Sequence, residues 1–506
     1  MTSDSSLITH HLSLLKWLDR IIIAWLFVMA AAMPHSIAAT QIAWMCGMLL
    51  WAVRLVVRPR FERTPLDYAL AAFMLLTVIS AFTSYAPAIS IGKLRAASLF
   101  TIVYLVSQNV RTRRALRLLA FVLIASCMVN VVYTMAERAV GRGIKVEGVS
   151  AKSPLASAIF RGATIARGVE SGDILLEVDG RKLREPEELV AALETANADS
   201  SPARVKLYRA EWIGVYEVER GGLLDGATAV EKLGLTGWSR GRDWRASGFF
   251  GHYVTYAEAL QLIASLAFGL FVALPQKRTL KGALLLHTLC GLGLALLLTV
   301  TRASQLGLLI SASVIALAGI SNRRTLLIMT ACALPLVLAG LFVLQQKRQV
   351  GFFDRNDGSI SWRETVWREG TGLLLSKPRH LLVGIGMDSI KLYGCQWGLF
   401  DNCRLPMGHM HSTPLQFALE RGIPALVAWL VLLYFYARLL WRLARSEKAL
   451  EDWTVRGIAL GGLGGLAGFF ASGLVHYNFG DSEVVMIFYF IMGLSLAAER
   501  ILRVDI

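Results

Sequence analysis

The chain has 506 residues, 55% of them hydrophobic, and a mean hydropathy of +0.53, too apolar for a soluble protein of this length. Its 52 Lys and Arg against 36 Asp and Glu leave a formal charge of +16. This excess reads as the basic cytoplasmic loops of a multi-pass membrane protein and not as a nucleic-acid-binding surface.

Apolar runs of roughly 18–25 residues, each able to cross a hydrocarbon core of about 30 Å, recur along the chain. They predict about twelve spans, near 21–39, 40–57, 65–86, 93–110, 116–137, 249–275, 283–300, 304–320, 325–345, 415–440, 458–476 and 484–499. Basic residues cluster in alternate gaps: Arg54 to Arg63, Arg111 to Arg117, Lys277 to Lys281, Arg323 and Arg324, Arg438 to Arg456, and Arg500 and Arg503. An even number of spans with these clusters inside leaves both termini in the cytoplasm. The first span follows Lys16 and Arg20 and imitates a secretory signal. It is long, and Ile37-Ala38-Ala39 is a poor cleavage site, so it is read as a retained anchor.

The chain divides accordingly into 1–137 (five spans), an exported insertion 138–248, spans six to nine over 249–345, a second exported segment 346–414 and three spans over 415–506. Four of the six cysteines, Cys46, Cys127, Cys290 and Cys332, fall in spans, where a thiol is a small apolar filler. Cys395 and Cys403 flank QWGLFDN in the second exported segment, where an oxidising compartment permits a disulfide.

The insertion has domain character. GDILLEVDG predicts a strand ending at an Asp179-Gly180 turn, EPEELVAALETA a helix favoured at its start by Glu185 and Glu187, and VKLYR a returning strand. Over about 141–215 this order resembles a PDZ domain of the bacterial periplasmic type, although GRGI at 141–144 departs from the usual carboxylate loop and RGATIARG is an extra insertion. The resemblance implies capture of a peptide end by strand addition; a spacer that positions another subunit is the other reading.

The outward face collects cations and imidazoles. Arg302 lies between two apolar runs at an outward turn, where the positive-inside rule disfavours it. Arg245 precedes the sixth span, Lys93 and Arg95 enter the fourth, and Arg363 lies in the second exported segment. Glu258 is an intramembrane carboxylate, a site candidate or the partner of an Arg that holds the bundle together. HYNFGDSE at 476–483 places His476, Asp481 and Glu483 at the last outward turn, where they either close that end of a cavity or, the favoured reading, form a solvated turn. His409 and His411 stand just before the tenth span. Guanidinium forks match phosphate and stay charged at any working pH, and an imidazole accepts a proton near neutrality. Together they suit a lipid-borne diphosphate leaving group and an attacking hydroxyl, with no metal motif present.

Three stretches, RASGFFGHYVTYAEAL, TRASQLGLL and the run from SWRETVWREG through GIGMDSI to HMHSTPLQFALERG, resemble the O-antigen ligase and polymerase superfamily of bacterial inner-membrane glycosyltransferases. The resemblance covers about 245–500 and implies an all-α polytopic fold of the GT-C-like kind, here with the PDZ-like α/β insertion. It also implies His411 as catalytic base, Arg245, Arg302 and Arg363 on the diphosphate, and supporting positions at Glu420 and His409. The donor would be an undecaprenyl-diphosphate-linked glycan. The acceptor would be lipid A–core in a ligase, another lipid-linked repeat in a polymerase, or a protein side chain, with no cofactor. An intramembrane metalloprotease is disfavoured, because no His-Glu-x-x-His occurs. A lipid-linked glycan transporter, or a structural subunit built around the PDZ-like domain, are the non-enzyme readings.

Overall fold

The computed structural model describes residues 3–160, 168–194, 201–209, 212–242, 244–324, 358–405 and 407–504, with isolated helical positions between 326 and 339. The chain forms two compact units, Val132–Ala246 and the remainder.

Among the described residues of the chain, nine helices are long and apolar enough to cross a membrane: Ile37–Val57, Pro87–Asn109, Arg113–Val140, Tyr253–Ala273, Leu280–Leu298, Arg302–Gly319, Thr413–Arg445, Trp453–Gly473 and Ser482–Arg503. This is a multi-pass membrane protein. Three predicted spans differ. The first ends at Ala32, not 39, because Pro34 interrupts it and Ser36 caps the next helix on the Ala39 N–H. The third is a 16-residue helix, Asp67–Phe82, shorter than a membrane crossing. Most of 325–345 lies outside the described residues, as do 346–357 of the second exported segment and most of RGATIARG. The fourth, predicted as 93–110, starts earlier and is interrupted: helix Pro87–Ala97 passes through a 3-10 turn at Ser98–Phe100 into helix Thr101–Asn109.

The larger unit centres on helix Trp453–Gly473, whose glycines allow backbones to meet. A Cβ on Gly269 would fall 2.2 Å from the Gly461 nitrogen, and one on Gly307 would fall 2.9 Å from the Gly468 carbonyl oxygen. This seats Tyr253–Ala273 and Arg302–Gly319 on the central helix. At one end of the bundle the basic clusters find partners: Arg54 with Asp19, Arg113 with Asp452, Arg117 with Thr454, and Arg500 with Glu62. His476, Thr413 and Thr255 gather at the opposite end.

The smaller unit is an antiparallel sheet with strands β1 Ile144–Val146, β2 Ile159–Phe160, β3 Ile174–Val178, β4 Arg181–Lys182, β5 Ala203–Arg209, β6 Trp212–Val218 and β7 Trp238–Arg240. Their order is β2-β6-β5-β3-β1-β7, with β4 paired to β3. Asp179 and Gly180 take φ of 48° and 80°, the geometry of a two-residue hairpin turn, and join β3 to β4. β3 is buried at Ile174, Leu175, Leu176 and Val178 because it is central in the sheet, between β5 and β1. Helix Pro186–Glu194 covers the sheet with Leu189, Val190 and Leu193.

Candidate active site

The site stands on a helix that breaks. Helix Thr413–Arg445 leaves helical geometry at Gly422, with φ 83° and ψ 165°, and carries Pro424 two residues on. Proline lacks the N–H that would bond the Glu420 carbonyl. The segment 384–386 replaces the lost partners: Ile385 N–H donates to the Leu419 carbonyl and Gly386 N–H to the Glu420 carbonyl, each at 2.9 Å. Ser80 Oγ adds a bond to the same Glu420 oxygen at 2.7 Å. This approach requires glycine. Gly384 and Gly386 have φ of 73° and 95°, and their Cβ atoms would fall 2.3 Å from Glu420 backbone atoms and 1.8 Å from Ser84 Oγ. The Gly-x-Gly at 384–386 and the Glu-x-Gly at 420–422 are thus two halves of one contact. Irregular backbone at membrane depth is tolerated where protein buries it or where it lines a cavity.

The N-terminal half-helix, 413–421, carries the histidines at its head. Met410 between them is fully buried and held on both sides: its N–H donates to Gln416 Oε1 at 2.7 Å, and Trp367 Nε1 donates to its carbonyl at 2.7 Å. Gln416 Nε2 in turn donates to Glu420 Oε1 at 2.8 Å, and the Asp388 N–H to the same oxygen at 2.9 Å. The spacing i, i+4 puts Gln416 and Glu420 on one helix face. Glu420 therefore positions the histidine loop and does not point into open space.

His411 takes φ 45°, which a non-glycine residue adopts at a cost. Its N–H donates to His409 Nδ1 at 3.2 Å, which leaves Nε2 to carry the His409 proton. The two rings lie 4.1 Å apart, Trp362 and His411 make a T-shaped contact at 4.7 Å, and Tyr477 lies 5.5 Å from His409. Burial pushes His411 down to about 2, helped by His409, His476, Arg363 and His252. Burial also pushes His409 down to about 4, with Lys391 and His252 adding to it and Asp388 opposing. Both imidazoles are neutral at pH 7; the His409 acceptor nitrogen is taken by the His411 N–H, so His411 is the one that can offer a lone pair.

Arg363 stands beside Trp362 on helix Gly358–Leu375, where its charge acts on His411. Arg302 is the first residue of its helix; Gly307, one turn on, lies against Gly468 and Ser472, so Arg302 sits at the histidine end of the bundle. Glu258 pairs with His476, Oε1 to Nδ1 at 3.2 Å, and with no arginine among the described residues. The turn 476–483 is not the solvated one expected: His476 and Asn478 are 7% and 1% exposed. It plugs the bundle end, where the His476 carbonyl accepts the Thr413 N–H at 3.0 Å and Asp481 accepts from Thr255 Oγ1 at 2.7 Å. Lys93 binds Asp388 at 2.6 Å. Burial alone would raise the Asp388 carboxyl, but bonds from Lys93 and Lys391 outweigh it and hold it below the usual range. Arg95 is exposed and joins no side chain of this network among the described residues. Arg245 belongs to the smaller unit, where its N–H donates to Tyr208 Oη at 3.3 Å. Cys395 and Cys403 are joined by a disulfide with Cα atoms 5.4 Å apart. It closes a turn in which Phe400, Asp401, Asn402 and Cys403 all have positive φ, while Glu369 accepts the Phe400 and Asp401 N–H groups.

Residues 284–430 match the family model described as O-antigen ligase. This stretch is a domain of the O-antigen ligase superfamily. No curated protein matches the chain. The ligase domain contains Arg302, Arg363, both histidines, Glu420 and the helix break, whereas Lys93, Glu258, His476 and Arg245 lie outside the matched residues. Sequence reasoning passed over Trp362, Trp367, Gln416, Tyr477 and Arg421. Gln416 and Arg421 had a signal, a polar and a charged residue beside Glu420 on an otherwise apolar helix.

Proposed function

We propose that the protein transfers a glycan at the periplasmic face of the bacterial inner membrane, from an undecaprenyl-diphosphate donor to an acceptor hydroxyl, in the manner of an O-antigen ligase and without a metal. The observation that carries this reading is the half-buried, neutral His411, on which the Arg363 charge acts, at the head of the broken helix inside the matched ligase domain. The acceptor O–H gives its proton to the His411 imidazole as its oxygen bonds the anomeric carbon. The C–O bond to the diphosphate breaks on the opposite face, inverting the centre. Arg302 and Arg363 neutralise the departing diphosphate, which also raises the basicity of His411 once bound. Arg245 is the third cation that the family resemblance assigns to this step. Both termini are cytoplasmic on this reading, because the basic end of the bundle faces inward. The exported PDZ-like unit would recruit a peptide end or position a partner protein.

The test is transfer by the full chain in liposomes with a lipid-diphosphate donor. His411→Gln is expected to lower kcat by about 10²–10⁴ while donor binding persists. Unimpaired transfer by this variant, with donor translocation lost instead, would identify a transporter. A polymerase, or a protein O-oligosaccharyltransferase, uses the same site on a different acceptor. Depletion in cells separates the first two: full-length lipid-linked polymer accumulates if the protein is a ligase, single lipid-linked repeats if it is a polymerase.

A further inference from the structure

Behind the histidine loop lies a cleft of about 130 Å³ whose walls include Lys93, Asp388, Glu420, Arg421 and Tyr477. Arg421 is 9% exposed, and its Nε is buried without a hydrogen-bond partner among the described residues. Its guanidinium rests on aromatic faces, 4.2 Å over Phe417 and 5.4 Å over Phe73. The carboxylates that share the cleft hold other hydrogen-bond partners: the Arg421 charge acts on Glu420, but no hydrogen bond joins the two side chains among the described residues. Glu420 Oε1 accepts from Gln416 and from the Asp388 N–H, and Asp388 is bonded by both Lys93 and Lys391. Three cations thus stand against two carboxylates. Lys93 is 46% exposed at its side chain, and Lys391 keeps Asp388 paired if Lys93 turns away. A guanidinium within a membrane helix is costly unless it is paired or used.

The rest of the cleft is apolar, with Phe73, Met74, Leu99 and Val485 along its floor. The geometry points to a second anion subsite, at Arg421 and Lys93, that takes the phosphate or carboxylate of an amphiphile whose apolar part lies along Phe73 and Leu99. Its lining does not include Arg302, Arg363 or His411, the residues assigned to the donor diphosphate and the base. Arg421 supplies planar donors for a phosphate fork and Lys93 a mobile charge at the mouth. The inference does not rest on glycan transfer.

The test is binding to the purified full-length protein in a neutral maltoside detergent, read by intrinsic tryptophan fluorescence and by calorimetry. The probes are dihexanoyl phosphatidate, inorganic phosphate and uncharged dihexanoylglycerol. Phosphatidate is expected to bind, and Arg421→Gln to weaken it at least about tenfold, the loss of hydrogen bonds to a charged group. Arg421→Lys should keep part of the affinity, Lys93→Gln should lose a smaller factor, and His411→Gln should bind as wild type. Equal affinity for phosphatidate and inorganic phosphate would remove the apolar half of the assignment. Equal phosphatidate binding by wild type, Arg421→Gln and Lys93→Gln would overturn the subsite, as would an equal loss in His411→Gln. Should Arg421→Gln fail to fold, the exposed Lys93→Gln carries the comparison.

Discussion

His411 and His409 show what burial does to an imidazole. Each is a neutral group in the folded chain whose basicity would return on unfolding, to about 6.5. The unfolded state therefore binds more protons below that value, and folding stability falls as pH drops. The contribution is fully present above about 6.5 and is lost progressively beneath it, down toward the folded values of about 4 and about 2. The melting temperature of the purified protein is expected to fall between pH 7 and pH 5, and the double variant His409→Gln/His411→Gln to flatten that slope. An unchanged slope would show that other groups carry it. The same values make kcat/KM for transfer flat on the acid side of neutrality, since the free enzyme's base does not titrate there and a diesterified diphosphate does not either. An acid limb centred near an ordinary histidine value would mean that His411 is not buried in the working enzyme.

At the scale of elements, the broken helix 413–445 and the 384–386 segment hold each other. Gly422→Ala puts a Cβ 2.4 Å from the Leu382 carbonyl oxygen at a φ of 83°. The backbone term alone costs roughly 1–2 kcal/mol, before the clash. Thermal unfolding in detergent should show Gly422→Ala and Gly386→Ala strongly destabilised. Gly372→Ala, on an exposed helical face with nothing within 4 Å, should be stabilised by roughly 0.5–1 kcal/mol. Similar effects at all three positions would deny the contact its role. The disulfide acts on a nearby element. It spans a separation of 8 residues, so the Cys395→Ser/Cys403→Ser variant should lose roughly 2–3 kcal/mol of chain-entropy stabilisation, read as a lower melting temperature.

For the molecule as a whole, orientation is the testable property. The basic clusters meet acidic partners at one end and the histidines gather at the other. A cysteine at Arg404, 78% exposed at its side chain, is expected to react in intact cells with a membrane-impermeant maleimide admitted through the outer membrane, while one at Arg60 reacts only after lysis. The reverse pattern would turn the protein over and remove the periplasmic reading. The sequence by itself determined that the chain crosses the membrane many times, which loops are basic, and that a small sheet-forming unit is inserted. Hydropathy, charge and motif order are local properties, and a bilayer turns them directly into topology. Only the tertiary structure decided that Glu420 serves the histidine loop, that Glu258 meets His476, that His476 and Asn478 of the last turn are buried, and that Arg421 faces a cleft. Each of these depends on which side chains meet across helices far apart in the chain, and a helix interior that faces protein reads the same in sequence as one that faces lipid.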